Sequence, residues 1–410
     1  MNRWLIRISL ALSYMVYAVL LNSVGTVILQ AIQSFAIHQQ SGSILEACKD
    51  LSIALVSFVT ASYLPRLGYR RAMMLGHALV GLACLLMALY PSFNMAKLLF
   101  VVIGVTFALI KVAVYSSIGL LTSDSRRHAS MTNLLEGLFM VGVLAGYWLF
   151  GAFIDPQHPG SLVWVRVYWV LAAASAVVVG LLAIARLDES AAKPHHVVHG
   201  GAFIDTLRLL LKPLTYAFIA SIFMYVLIEQ SLGTWLPTFN NEILHLPTAM
   251  SIQLVSIYAG SLAVGRLGAG VILRWVGWYP LINGCLVAMA ALVLVSLPLA
   301  ANVHPRADAN WFNAPLVAYL FPLIGLLMAP IYPVLNSVML SSLPKDRHAG
   351  MTGLIVVFSA LGGTLGSIIT GTIFAHAGGH QAFYLTLVPM ALILILLIVF
   401  RRETRLARPS

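Results

Sequence analysis

Tyr17-Ala-Val-Leu-Leu-Asn22-Ser-Val-Gly25-Thr26 recurs as Tyr225-Val-Leu-Ile-Glu229-Gln230-Ser-Leu-Gly233-Thr234. Two further echoes follow in the same order. Arg127-His-Ala-Ser-Met-Thr132 returns as Arg347-His-Ala-Gly-Met-Thr352, and Gly142, Gly146 and Gly151 return as Gly362, Gly366 and Gly371. One such match would be a coincidence; three in a common order mark an internal duplication. The chain is therefore read as two copies of one unit.

Each copy is built from apolar runs. Of 410 residues, 60% are hydrophobic and 9% charged, against roughly 25% charged in soluble domains, and the mean hydropathy is +0.93. A water-soluble enzyme is excluded. Runs near 5–34, 42–64, 72–91, 95–122, 129–153 and 164–186, then 213–237, 248–272, 280–300, 314–342, 349–375 and 381–400 are each long enough to cross a bilayer. Inside lipid only helices satisfy every backbone donor and acceptor in such segments, so the expected fold is an all-α polytopic membrane protein of twelve transmembrane helices. The two pseudo-symmetric six-helix halves span 1–186 and 213–400, separated by a linker at 187–212 and followed by a basic tail at 401–410.

The net charge of +11 comes from short clusters between apolar runs, which argues against a nucleic-acid surface. Arg66, Arg70, Arg71, Arg126, Arg127, Arg274, Lys345, Arg347, Arg401, Arg402, Arg405 and Arg408 fall on one side, and Lys97, Arg166 and Arg306 on the other. The positive-inside rule then makes both termini and the linker cytoplasmic, in a bacterial-type inner membrane. Cys48, Cys84 and Cys285 sit singly in apolar runs and indicate neither disulfides nor a metal site. Arg3 and Arg7 precede the first run, which continues without a small-residue cleavage site and reads as a retained helix. His195, His196 and His199 lack acidic or cysteine partners and read as solvated linker, while Phe203 to Leu211 reads as a short amphipathic helix. No nucleotide-binding loop is present, and no cofactor is expected.

Duplicated six-helix halves enclosing a midplane site are the plan of alternating-access transporters. The sequence also resembles the major facilitator superfamily over nearly its whole length. Arg66-Leu-Gly68-Tyr-Arg70-Arg71 is similar to that family's loop motif between spans two and three, and Gly265-Arg266 through Arg274 to its second-half counterpart. Pro65 stands where the motif carries an aspartate, which removes one partner of the charge lock between helix ends. Within the family, YVLIEQSLGTWLPTF at 225–239 and GLLMAPIYPVLN at 325–336 resemble spans seven and ten of fucose:proton symporter relatives, in which a glutamate precedes a tryptophan by six residues. The resemblance implies proton-coupled uptake of a sugar. Those relatives commonly carry acids on spans one and four, whereas here span one offers Asn22 and span four Lys111.

Ionisable residues at membrane depth are functional candidates by default. Glu46, Lys49 and Asp50 lie on span two, with the i, i+3, i+4 spacing that places them on one face. At about 1.5 Å per residue, Glu136 lies about 10 Å, Lys111 about 16 Å and Asp50 about 21 Å from the cytoplasmic end of its span. The repeat puts Leu254, Tyr258, Ile331/Tyr332 and Val356 at the matching places of the second half, so charge is asymmetric between the halves, and the second contributes Glu229 on span seven. Glu46, Asp50, Lys111 and Glu136 are the expected proton-coupling set, with Lys111 as counter-charge. Among the ionisable residues at membrane depth, Lys49 and Glu46 are the weakest candidates, since either could snorkel to the outer interface.

For the ligand, Asn22, Thr26, Gln30 and Gln33 make a polar stripe on span one that should face a watery cavity. Glu229, Gln230 and Trp235 on span seven lie at the pseudo-equivalent depth, with Tyr258, Tyr332 and Asn336 to complete the site. Amides, phenols and an indole suit a neutral polyhydroxylated solute. Packing hydrogen bonds for Gln30 and Gln33, and an interfacial anchor for Trp235, are the plain alternatives. The paired glycines of spans five and eleven should allow close helix approach, and Pro330 and Pro333 should kink span ten.

The sequence thus points to a monomeric secondary transporter importing a small polar solute such as a sugar together with protons. Export of an amphiphilic compound by proton antiport is the runner-up. Span five lacks the glycine-proline signature of drug antiporters, since 142–151 contains no proline. A membrane sensor that kept the fold without transport is the third reading, favoured if the polar stripe were filled by side chains.

Overall fold

The computed structural model describes residues 3–122, 125–185, 187, 189, 211–305, 309–344 and 348–406. The linker histidines His195, His196 and His199, the stretch 203–210, and Lys193, Arg306, Lys345, Arg347 and Arg408 lie outside the described residues. Among the described residues every regular element is helical. Two compact units are present, one formed by Met1–Ile37 with Leu45–Val197, the other by His38–Ile44 with Val198–Ser410.

In the first unit the spans are α1 (Arg3–Asn22) continued by α2 (Val24–Phe35), then α4 (Ile44–Leu67), α5 (Tyr69–Leu89), α6 (Phe93–Leu121), α7 (Ser125–Ala152) and α8 (Val167–Ile184). Span one is broken rather than continuous. The Asn22 amide donates to the Ala18 carbonyl at 2.9 Å and the Ser23 hydroxyl to Leu20 at 2.7 Å, so side chains occupy acceptors at the break. Such back-bonding is a recognised cause of helix bending. Ser92 caps α6 by accepting from the Met95 amide at 3.2 Å.

The second unit begins with the short α3 (Gln39–Gly42), where Gln39 donates to both carboxylate oxygens of Glu242 at 3.2 Å. Its spans are α9 (Pro213–Glu242), α10 (Thr248–Gln253) with α11 (Val255–Ile272), α12 (Trp278–Ala301), the segmented α13 (Leu316–Leu320), α14 (Ile324–Met328) and α15 (Ile331–Ser341), then α16 (His348–Ala377), and α17 (Gly379–Tyr384) with α18 (Leu387–Leu406). Span ten breaks at Ala329-Pro330, where a ring replaces a backbone donor, and again at a 3₁₀ turn over Phe321–Leu323 that contains Pro322. The first break was legible in the sequence; the second was not.

Glycine explains how the duplicated pattern becomes duplicated packing. A Cβ on Gly142 of α7 would lie 2.8 Å from the Met15 carbonyl oxygen of α1, and one on Gly146 would lie 3.3 Å from Val19 Cα. In the second unit, Gly362 and Gly366 of α16 meet the backbone of Phe223 and Leu227 in α9 in the same way. Spans five and eleven therefore rest backbone to backbone on spans one and seven.

The loop motif also has a structural use. Gly68 has φ +87° and precedes α5, whose first amides, Tyr69 and Arg70, donate to the Glu189 carboxylate at 3.0 and 2.8 Å. In return the Arg70 guanidinium donates to the carbonyl of Ala185 at 2.8 Å, just past the end of α8. Each helix end receives the charge that its dipole favours. A charge clasp thus exists without the missing aspartate, built from a residue after span six instead. Glu189→Ala should lower stability by about 1–2 kcal/mol, the range of a charged N-cap. A melting temperature in detergent equal to wild type would remove the clasp from the account.

Candidate functional site

Two groups of ionisable side chains stand apart in the first unit. On α4, Lys49 Nζ lies 2.5 Å from Glu46 Oε1 and 3.5 Å from Asp50 Oδ1. Glu46 is fully buried and Lys49 is 7% exposed. Both are covered by protein instead of turning outward, so the snorkelling expected from their position in the span does not occur. Tyr147 of α7 lies within electrostatic reach of both. The Lys49 carbonyl abuts Gly104 of α6, where no side chain would fit. The triad is a packed ion cluster.

The second group is different. The Tyr115 hydroxyl of α6 donates to Glu136 Oε1 of α7, and both residues are at least partly open. Tyr14 of α1 stands edge-on to Tyr115 at 6.3 Å and to Phe139 at 5.4 Å. One turn before Tyr115, Lys111 is exposed, with its ammonium 5.9 Å from the Phe107 ring centroid. Among the described residues Lys111 makes no ion pair. The four expected coupling residues therefore sit in two places: Glu46 and Asp50 with Lys49, and Glu136 with Tyr115, near the unpaired Lys111.

The polar stripe of span one is largely enclosed. Gln30 is fully buried and donates to Gln33 at 3.1 Å, and Thr26 is 1% exposed. Asn22 and Thr26 line a crevice with Ser23, Gly146 and Tyr147 that is too narrow to hold water.

In the second unit the Tyr225 hydroxyl donates to Glu229 at 3.3 Å, and its ring lies 5.8 Å from that of Tyr332. Tyr332 and Ser359 share a hydrogen bond at 3.4 Å, and the Tyr258 hydroxyl points at Met328 sulfur at 3.7 Å. The structure thus gathers Glu229, Tyr258 and Tyr332 around Tyr225. Gln230 is half-buried beside them in sequence, and the Asn336 amide oxygen is buried one turn beyond Tyr332 without a hydrogen bond. Trp235 lies elsewhere. Six residues advance a helix by roughly 600°, which puts Glu229 and Trp235 on different faces. Trp235 is fully buried, stacked on Phe374 at 5.6 Å, with its indole nitrogen donating to the Ser367 carbonyl at 3.1 Å.

Sequence reasoning passed over Tyr14, Tyr115 and His77. Tyr115 carries a signal in hindsight, since Phe107, Lys111 and Tyr115 recur at steps of four on one helix face. His77 is fully buried, 2.6 Å from the Ser13 hydroxyl and edge-on to Tyr17. A single histidine within an apolar run gave no sign of that.

The Major Facilitator Superfamily model matches residues 10–367 and again 299–410. The chain belongs to the major facilitator superfamily. It is a multi-pass membrane protein. The multidrug efflux pump Tap of Mycolicibacterium fortuitum is 23% identical over 269 residues, 64% of this chain and 60% of that protein, so the chain spans about three-fifths of this curated relative. Among solved structures, a bacterial homolog of the human lysosomal transporter Spinster, in its inward-facing unoccupied conformation, matches with a TM-score of 0.78 at 14% identity, covering 100% of this chain and 98% of that one. The transporter FucP in its outward conformation, a fucose:proton symporter, matches with a TM-score of 0.60 at 17% identity over 98% and 99% of the two chains. These superfamily members share the fold of this chain.

Proposed function

We propose that the protein is a secondary active exporter that moves an amphiphilic compound out of the cell in exchange for protons. One observation carries this reading: the membrane-depth charges left open in the first unit, Lys111 and Glu136, are set among Tyr14, Phe107, Tyr115 and Phe139. Rings suit an amphiphile; a polyol needs many open hydrogen-bonding groups. The groups foreseen for a polyol, Thr26, Gln30 and Trp235, are buried inside their own unit. The efflux activity named for the Tap relative supports the same choice. Glu136 is the proposed proton site, because neutralising a charge at membrane depth removes a large cost of moving it. Lys49 with Glu46 and Asp50 is proposed as a fixed support.

The test is the sign of a proton signal. With pyranine sealed inside proteoliposomes and substrate added outside, antiport should make the lumen more alkaline as substrate enters. Symport would make it more acidic. An acid shift with sugars and no signal with amphiphiles would overturn export in favour of sugar import, which the Tyr225, Glu229, Tyr258 and Tyr332 cluster supports. A filled polar stripe also suits a sensor without transport, and no signal with any solute would favour it.

Both termini and the 187–212 linker are proposed to be cytoplasmic, in an inner membrane, from the distribution of arginine and lysine. A cysteine at position 193 should react with an impermeant maleimide only after permeabilisation. Labelling in intact cells would reverse the topology.

A further inference from the structure

The chain holds one lysine whose charge is spent and another whose charge is open. Lys49 has two carboxylates within 3.5 Å and is 7% exposed. Lys111 lies ten residues from the end of α6 at Leu121, roughly 15 Å into the membrane. It is exposed, has no ion pair among the described residues, and lies over the Phe107 ring at 5.9 Å from its centroid. An ammonium at that depth is costly unless something neutralises it. Glu136 of α7 accepts from the hydroxyl of Tyr115, one helical turn from Lys111.

We infer that Lys111 is the anion-recognition point of the substrate site, and that the substrate is an aromatic amphiphile bearing one anionic group, a carboxylate, sulfonate or phosphate. The inference rests on the export reading for the amphiphilic body of the ligand. Three ammonium hydrogens can meet the oxygens of the anion. Phe107, a turn below, and Tyr115, a turn above, flank the position where the adjoining ring would lie, with Tyr14 and Phe139 extending the wall. A cationic substrate would meet Lys111 as a like charge.

The test compares two probes with the same aromatic body. 1-Anilinonaphthalene-8-sulfonate carries the anion; N-phenyl-1-naphthylamine lacks it. Binding is read by fluorescence on the full chain in phosphatidylcholine nanodiscs, with empty nanodiscs subtracted and ethidium as the cationic arm. Wild type should bind the sulfonate at least about tenfold more tightly than the neutral probe, the scale of one charge-assisted contact. Lys111→Met should abolish that preference and leave the neutral probe unchanged, while Lys111→Arg keeps it. Equal affinities in wild type, preference for ethidium, or a Lys111→Met protein that still prefers the sulfonate would overturn the inference. In the last case Lys111 would be a counter-ion only. The wild-type comparison decides even if Lys111→Met does not fold. Since no gradient is used, anion preference without proton exchange would overturn export and leave this site standing. Antiport without anion preference would do the reverse.

Discussion

Lys49→Met should leave little folded protein in the membrane. The substitution takes the ammonium away from Glu46, which is fully buried, and from Asp50 beside it, and removing one partner of a buried pair costs about 3–5 kcal/mol. That is a large part of a marginal stability. Pairing it with Glu46→Gln should restore much of the loss, because the fully buried charge is then removed along with its ammonium. Thermal melting of purified protein in detergent, with monodispersity by size exclusion, reads both effects. A single variant that melts like wild type, or a double variant worse than the single, would show that the triad is hydrated in the membrane.

Glu136→Gln should produce the other large effect, this time on transport with the fold intact. Glutamine keeps the shape of the protonated acid and can still accept from Tyr115, so the packing around Tyr14 and Phe139 has no reason to change. It cannot exchange a proton. Uphill movement driven by an imposed pH gradient in proteoliposomes should therefore disappear, while downhill exchange of substrate persists, since a permanently neutral side chain still permits reorientation. Tyr115→Phe should act in the same direction but less strongly, because it removes the phenol and leaves the acid. Full gradient-driven transport by Glu136→Gln would place the proton site elsewhere, with Asp50 the next residue to test.

These two residues show how far a sequence of this kind can be read. Both are charges in apolar runs, and their membrane depth follows from counting along a helix at a fixed rise. Their surroundings do not. Lys49 and Lys111 look alike in the sequence; one is enclosed by its own helix neighbours and by α6 at Gly104, while the other stays open two turns further along that same helix. The amides of span one were equally visible, yet Gln30 is turned into protein. Trp235 followed a glutamate at a familiar interval, and helical geometry sent it to another face.

Composition and repetition by themselves determined the fold: runs of apolar residues long enough to span lipid must be helical, and the repeated glycines repeat the same backbone contact in both units. The choice among polar residues belonged to the tertiary structure. A helix distributes its residues around a full circle, and only the neighbouring helices decide which part of that circle is covered. That is why Glu189 could take the place of a missing aspartate, and why Tyr14 and Tyr115, rather than the amides of span one, stand beside the open charges.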